Sequence, residues 1–490
     1  MKFYRIVIVF VFIFMGICLS QEDLGKKYYE SAMAYLETGN YNQAEEDFEA
    51  IIKSLPDSAY ADDALLELGK YYLEKENNKE QAEKYFTLLK EKYVKTENGP
   101  AGYYYLGRAN LILGATIEDF ENAYSNFERI LVLFPKSKWV QQALHDAAIV
   151  KHYLGNDLMA ISLLNQAVEK FPKTPYTDLS KLELGLCYLN LDKANLGLYY
   201  IQQVINNPYN EELREIAKNY LAFVLRIGFR SKTPTFNPYE KNSSFSLLAN
   251  IKEPKQIIYR SDLKTFYVFD DDSNNIFIID RSGKLKELKA TEKLQSFFLD
   301  NKGDIYLVSK KNIINPANKA LQFSFTYELK TKFINNMKEA AVDSAGNYYI
   351  VDNTYKGIFK FDNGGNEVKF PLHRVNERYK KILIDRRDRL ILSLENKAIL
   401  IYKNNAELLK RIDKFEGVSF KEIIDMGFDD FGNFYILDTD LKAVFIYNPM
   451  FKEIGKYYFS EGIKPINFAI GEEGDLYIIN KKNKMIEHYR

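Results

Sequence analysis

The chain has 490 residues, 46% of them hydrophobic and 27% charged, which gives room for two to four ordinary domains and excludes a disordered chain or a multi-span membrane protein. Lys+Arg and Asp+Glu balance at 67 each, and no basic cluster stands out that would suit nucleic acid. Against 37 Tyr and 34 Phe there are only four His and one Trp, so the side chains that most metal or acid–base chemistry needs are scarce.

At the N-terminus Lys2 and Arg5 form a basic start, followed by an apolar run from Ile6 to Ile17 interrupted only by Gly16. About a dozen apolar residues is the length of an export signal and short of the ~20 that span a bilayer. The small residues Cys18 and Ser20 set a cut between Ser20 and Gln21, which leaves the mature chain periplasmic or extracellular. A second reading lipidates Cys18 and anchors the protein to a membrane, although Ile17 stands where a lipidation signal carries a small residue. Once residues 1–20 are removed, Cys187 is the only cysteine and no intramolecular disulfide can form. It lies in the apolar stretch LELGLCYLNL and reads as a small buried side chain.

From residue 24 to about 230 the apolar residues recur at helical spacing, with Pro or turn residues between segments. The first hairpin is KKYYESAMAYLETGNYNQAEEDFEAIIKSLPDS: Ala32 and Ala44 let two helices approach, Gly39 and Asn40 turn the chain, Phe48 fills space, and Pro56 ends the second helix. The set returns with Gly69, Ala82 and Phe86, with Gly107, Ala123, Phe127 and Pro135, and with Ala147, Ala160, Leu164 and Pro172. A weaker fifth copy has Gly185, Gly197, Ile201 and Pro208. This order resembles the tetratricopeptide repeat, and LPDSAYADDALLELGKYY and FPKSKWVQQALHDAA are similar to tetratricopeptide lipoproteins of the bacterial envelope. The resemblance implies a helical solenoid whose groove holds a peptide segment or another envelope protein. Aligned on the repeat, the groove-facing positions are Lys26, Tyr29, Lys70, Tyr104, Arg108, Lys151 and His152, a basic and aromatic set suited to an acidic or C-terminal peptide. A last amphipathic helix from Glu211 to about Gly228 has no partner hairpin and is expected to cap the open end of the stack.

The stretch from Arg230 to Ser244 has two prolines and no apolar period, and reads as a linker. Beyond it the period becomes two, with strands rich in Phe, Ile, Tyr and Val. A strand, a tight turn and a second strand recur as FLDNKGDIYLVS, VDSAGNYYIVD, FDDFGNFYILD and IGEEGDLYIIN. IDRRDRLILSL has Asp388 in place of the turn Gly, and YRSDLKTFYVFD has lost that Gly. The register residues Tyr267, Tyr306, Tyr349, Ile391, Tyr435 and Tyr477 mark six units, each followed by a third strand and a shorter fourth, which is the pattern of a propeller blade. The unit resembles the NHL repeat and implies a six-bladed ring. The last unit supplies three strands, so Phe245–Ile251 is expected to complete it and close the ring.

The expected organisation is an export signal over 1–20, an all-α, tetratricopeptide-like solenoid over 21–229, a linker over 230–244 and a six-bladed β-propeller over 245–490. Residues 21–230 carry 31 acidic and 23 basic groups, whereas 231–490 carry 36 and 42, so the two parts either attract each other, choose oppositely charged partners, or differ by compositional drift alone. Asp270, Asp352, Asp438 and Asn480 recur after the second strands, as a cation or ligand rim or as residues that satisfy their own turns, and the turn role is expected. His373 and His488 are the only histidines of the propeller and have no partner at ligand spacing. No catalytic residue, metal ligand or cofactor is therefore assigned. The expected function is an exported, non-enzymatic scaffold in the cell envelope; the alternatives are a ligand- or glycan-sensing propeller with a helical docking arm, and a propeller lyase or hydrolase.

Overall fold

The computed structural model describes residues 22–230, 239, 241, 251–280, 284–300, 303–317, 322–328, 334, 336–352, 354, 356–372, 378–385, 387–395, 397–459 and 462–490. The chain divides into two compact units, Met1–Val150 and Lys151–Arg490. The division falls inside the helical array, not at the proline-containing stretch that the sequence marks as a linker.

In the first unit the helices are α1 (22–38), α2 (Tyr41–Ser54), α3 (Ala61–Glu74), α4 (Lys79–Lys92), α5 (Gly99–Leu113), α6 (Ile117–Leu133) and most of α7 (Val140–Tyr153). Local chemistry sets their ends: Asn78 caps α4, and Thr116 and Asp119 form a reciprocal capping box on α6. The α2 and α6 helices stop just before Pro56 and Pro135. The small–aromatic pairing of the repeat is a steric fit. A Cβ on Gly69 would sit 2.3 Å from the Phe86 ring, and one on Gly107 would sit 2.5 Å from that of Phe127. Phe86 also stacks on Tyr105 of the next hairpin at 5.1 Å, so one ring joins two repeats.

The second unit begins with the end of α7 and continues through α8 (Asp157–Lys170), α9 (Pro175–Asn190), α10 (Ala194–Asn206), α11 (Glu211–Leu225) and a π turn (Arg226–Arg230). Six antiparallel sheets follow. The first four are β1–β4 (Pro254–Arg260, Thr265–Asp270, Asn275–Asp280, Leu285–Lys289), β5–β8 (Leu294–Leu299, Ile305–Ser309, Asn312–Ala317, Gln322–Glu328), β9–β12 (Met337–Val342, Tyr348–Asp352, Ile358–Phe361, Glu367–Val368) and β13–β16 (Tyr379–Ile384, Leu390–Leu394, Ile399–Tyr402, Leu408–Ile412). After a short hairpin, β17–β18 (Lys414–Phe415, Val418–Ser419), come β19–β22 (Ile423–Phe428, Phe434–Asp438, Ala443–Tyr447, Glu453–Tyr458) and the three strands β23–β25 (Pro465–Ile470, Leu476–Asn480, Met485–Tyr489). Each sheet is a meander with its strands in sequence order, as a propeller blade requires. The turn glycines Gly303, Gly346, Gly432 and Gly474 all have positive φ. Where that Gly is missing, Lys264 (φ 49) and Asp388 (φ 52) take the same left-handed conformation. Asp388 also accepts the Ser344 amide of the preceding blade at 2.9 Å.

The ring closes between the first and sixth blades, where Ile257, Phe266 and Val268 pack with Ala469, Ile479 and Ile486. Of the expected closing segment Phe245–Ile251, residues 245–250 lie outside the described residues. On the free edge of β25 the described partner is Lys241, which bridges Tyr489 in antiparallel sense.

The expected capping helix has a different neighbour. Phe223, Val224 and Ile227 share one apolar core with Tyr435, Ile446, Tyr457 and Ile478 of the fifth and sixth blades. Tyr220 and Phe223 both meet Phe431 at 5.0 Å. The end of α11 is thus covered by sheet because its apolar stripe is too wide for α9 and α10 alone to bury. Tyr239, from the stretch read as linker, is 1% exposed; its hydroxyl donates to the Gly474 carbonyl at 2.9 Å, and the Arg226 guanidinium lies over its ring at 4.7 Å.

Candidate functional site

Three places could carry function: the exposed side of the first helices of the repeats, a cavity beside α9 and α11, and the interior of the propeller.

On the helical side, the groove candidates have diverse surroundings. Lys26 is exposed beside Glu30. Lys70 pairs with Glu67 at 2.8 Å, and Tyr29 is half-buried, its hydroxyl pushed up to about 12 by burial and by the charges of Asp63 and Glu67. Tyr104 is not a groove residue. It is 2% exposed and stacks on Trp139 at 4.8 Å, because in GYYYLG the side chain nearest the α6 interface turns inward. Arg108, half-buried on the same helix, lies 3.7 Å from the buried Asp146 carboxylate and 3.4 Å from the Tyr104 hydroxyl. Beside them the Trp139 indole N–H and the Gln142 amide oxygen have no hydrogen-bond partner among the described residues. Asp146 Oδ2 is unmet as well; buried groups of this kind are what an internal water satisfies, and each costs ~1–3 kcal/mol while unmet. The chain's single Trp was the one sequence signal for this spot; Gln142 and Asp146 gave none.

In the second unit, Lys151 is half-buried, whereas His152 points its Nδ1 at Asp157 Oδ1, 2.5 Å away, rather than at a groove. A cavity of about 160 Å³ lies alongside, bordered by His152, Glu183, Tyr220, Phe223 and Phe431. Glu183 is held there by the Tyr220 hydroxyl at 2.7 Å.

Inside the propeller, each innermost strand carries a bulge near its start, and the residue after the bulge reaches the next blade. Gln256 exchanges two hydrogen bonds with the Phe297 backbone, at 2.8 and 3.0 Å, and the Ser296 hydroxyl donates to the Lys338 carbonyl at 2.9 Å. Lys381 sits between Glu339 (3.1 Å) and Asp425 (3.5 Å). Asn467 donates to Asp425 at 2.5 Å and accepts the Ile257 amide at 2.7 Å, which returns the belt to the first blade. Burial alone would lower the Lys381 pKa, but the two carboxylates outweigh it and hold the ammonium charged.

The recurring polar residues after the second strands serve turns. Asp270 accepts the amides of Glu253 and Ser273, Asp438 those of Lys421, Glu422, Asp440 and Leu441, and Asn480 those of Lys464 and Lys482. Asp352 does the same for Asn336 and Thr354. His488 is bonded to Asp475 at 2.6 Å and stacked on Tyr477, both in its own blade. His373 lies outside the described residues.

Residues 21–162 match the family model described as YfiO, outer membrane lipoprotein. No curated protein matches the chain. Among solved structures, a streptogramin B lyase is 14% identical over 51% of this chain and 97% of its own, with a TM-score of 0.39. A virginiamycin B lyase from Staphylococcus aureus is 13% identical over 51% and 87%, also at 0.39. A gluconolactonase from Xanthomonas campestris is 10% identical over 50% and 88%, again at 0.39. At these identities and scores the likeness to the three enzymes says nothing of activity here. The chain is a tetratricopeptide-like all-α region followed by a six-bladed β-propeller.

Proposed function

We propose that this protein is an exported, non-enzymatic binding protein of the bacterial cell envelope, which holds a segment of a partner protein against the first helices of its repeats and presents the propeller as a second binding body. The match of residues 21–162 to an outer-membrane lipoprotein family carries the reading, because it covers the groove candidates and begins where the expected export signal ends. The belt of interblade bonds supports the non-enzymatic part: Glu339, Lys381, Asp425 and Asn467 already serve each other. Site-specific photocrosslinking from positions 70 and 108 in envelope fractions tests the reading. One protein adduct, lost on Arg108→Glu, is expected. A glycan or small metabolite captured by the propeller, with no protein adduct from the helices, would favour the sensor instead.

The family match also favours the second reading of the N-terminus, in which Cys18 is lipidated and the protein is anchored. The N-terminal mass of the purified protein decides it: a diacylglyceryl-modified Cys18 supports the anchor, and an unmodified Gln21 removes it.

A further inference from the structure

We propose that His152, Asp157 and Cys187 form a binding site for one divalent transition-metal ion, with zinc the best match to the donor set. The three side chains come from separate elements: the last turn of α7, the first position of α8 and the last turn of α9. His152 Nδ1 is 2.5 Å from Asp157 Oδ1 and 3.5 Å from Cys187 Sγ, and the three donor atoms all fall within 4.8 Å of one another. Zinc bonds of about 2.0–2.3 Å to nitrogen, oxygen and sulfur place the ligand atoms of a tetrahedral site roughly 3.3–3.7 Å apart. The observed separations bracket that span. Opening the His–Asp hydrogen bond by about 1 Å, a side-chain rotation, therefore seats an ion.

Charge and donor type select the ion. His152 and Asp157 have side chains only 11% and 7% exposed, and Cys187 is fully buried. A thiolate and a carboxylate bring two negative charges, which a divalent cation cancels, so the loaded site is neutral and tolerates burial. Copper(I) would leave a net negative charge. A single carboxylate is too few oxygen ligands for Ca²⁺ or Mg²⁺, whereas thiolate with imidazole suits zinc. The fourth position falls to a water from the cavity that His152 and Glu183 border.

Zinc is ligated by the thiolate and by an unprotonated Nδ1, so loading displaces the thiol proton to solvent and requires any His152 ring proton to sit on Nε2. The assignment differs from the sequence expectation of no metal because the ligands obey no short motif. His152 and Asp157 flank a turn, and Cys187 arrives from the next hairpin.

The test uses purified protein carrying both the helical region and the propeller, stripped with chelator and titrated with Co²⁺ and then Zn²⁺. One equivalent of Co²⁺ is expected to give a sulfur-to-cobalt charge-transfer band and tetrahedral visible bands, both displaced by Zn²⁺, with about one proton released per ion. In Cys187→Ser the charge-transfer band is expected to vanish. In His152→Ala the zinc affinity, read by competition with a chromophoric chelator, is expected to fall at least ~10-fold. Absence of the charge-transfer band in the folded wild-type protein overturns the site, and that result depends on no variant folding. Unchanged zinc binding in a folded Cys187→Ser protein overturns it as well.

Discussion

Between α3 and α4 the contact is a phenyl ring set into the space over Gly69, whereas between the fourth blade and its neighbours it is the Lys381 ammonium set between the half-buried Glu339 and the buried Asp425 carboxylates. The helical repeats are held by shape. Each hairpin supplies a hole and a side chain to fill it, a ring in the first three and Leu164 or Ile201 in the last two, and an added or lost hairpin changes only its neighbours, as in any open array. The blades have comparable apolar layers between their sheets, but around the channel they are joined by directional, charged and amide bonds that run through all six and return to the first. A closed ring needs every junction at the same time, and directional bonds fix the angle at each one. The last helices, α9 to α11, combine both modes: they pack on each other as repeats do, while α11 and the π turn share their core with the fifth and sixth blades.

Truncation should separate these regimes most sharply. A chain of 151–490 is expected to fold, whereas 236–490 is expected to aggregate or lose its cooperative melt, because removal of α9–α11 bares Tyr435, Ile446 and Tyr457. A soluble 236–490 fragment with a native-like melt would show that the propeller needs no helical cover. Next in size, Lys381→Ala leaves the half-buried Glu339 and the buried Asp425 without their cation and should cost ~3–5 kcal/mol in denaturant unfolding of the propeller. A loss under ~1 kcal/mol would mean that the apolar layers alone hold the ring.

A pH effect comes third. Burial raises the Asp429 carboxyl to about 7, against the hydrogen bonds from Asn433 and Tyr435. Since the folded value lies above the unfolded one, its protonated form stabilises the fold fully below about pH 4, and that contribution is lost as pH rises towards 7. Unfolding free energy of the wild type relative to Asp429→Asn should therefore fall by about 2 kcal/mol between pH 5 and pH 7. Parallel pH curves for the two proteins would place the ionised carboxylate in the folded state. The smallest effect is expected in the open array, where Gly107→Ala puts a methyl against the Phe127 ring and should cost roughly 1–2 kcal/mol while leaving 151–490 unaffected, read by separate melts of the two.

The repeat residues were legible because each acts within its own unit. Gly69 and Phe86 are 17 positions apart, and Gly303 turns its own hairpin, so periodicity exposes both. Asp388 in place of Gly was also legible as a departure, and its structural reason, a bond to Ser344 one blade earlier, was not. The groove set was less legible. Repeat alignment placed Tyr104 and His152 outward, but neighbouring side chains decide orientation: Trp139 draws Tyr104 into a stack and Asp157 draws His152 into a hydrogen bond. The belt of Gln256, Ser296, Glu339, Lys381, Asp425 and Asn467 hides in the sequence because six different residue types do one job, with no common letter to align.

The sequence by itself determined that helical hairpins give way to four-stranded units, how many units there are, and where each turns, because those properties follow from apolar period, glycine and proline within short windows. Only the tertiary structure decided that α11 is covered by blades instead of ending the stack, that Tyr239 is an anchor within an apparent linker, and that three residues from α7, α8 and α9 converge on one point. Each of those outcomes depends on which surfaces meet, and a meeting between segments far apart in the chain leaves no period for the sequence to show.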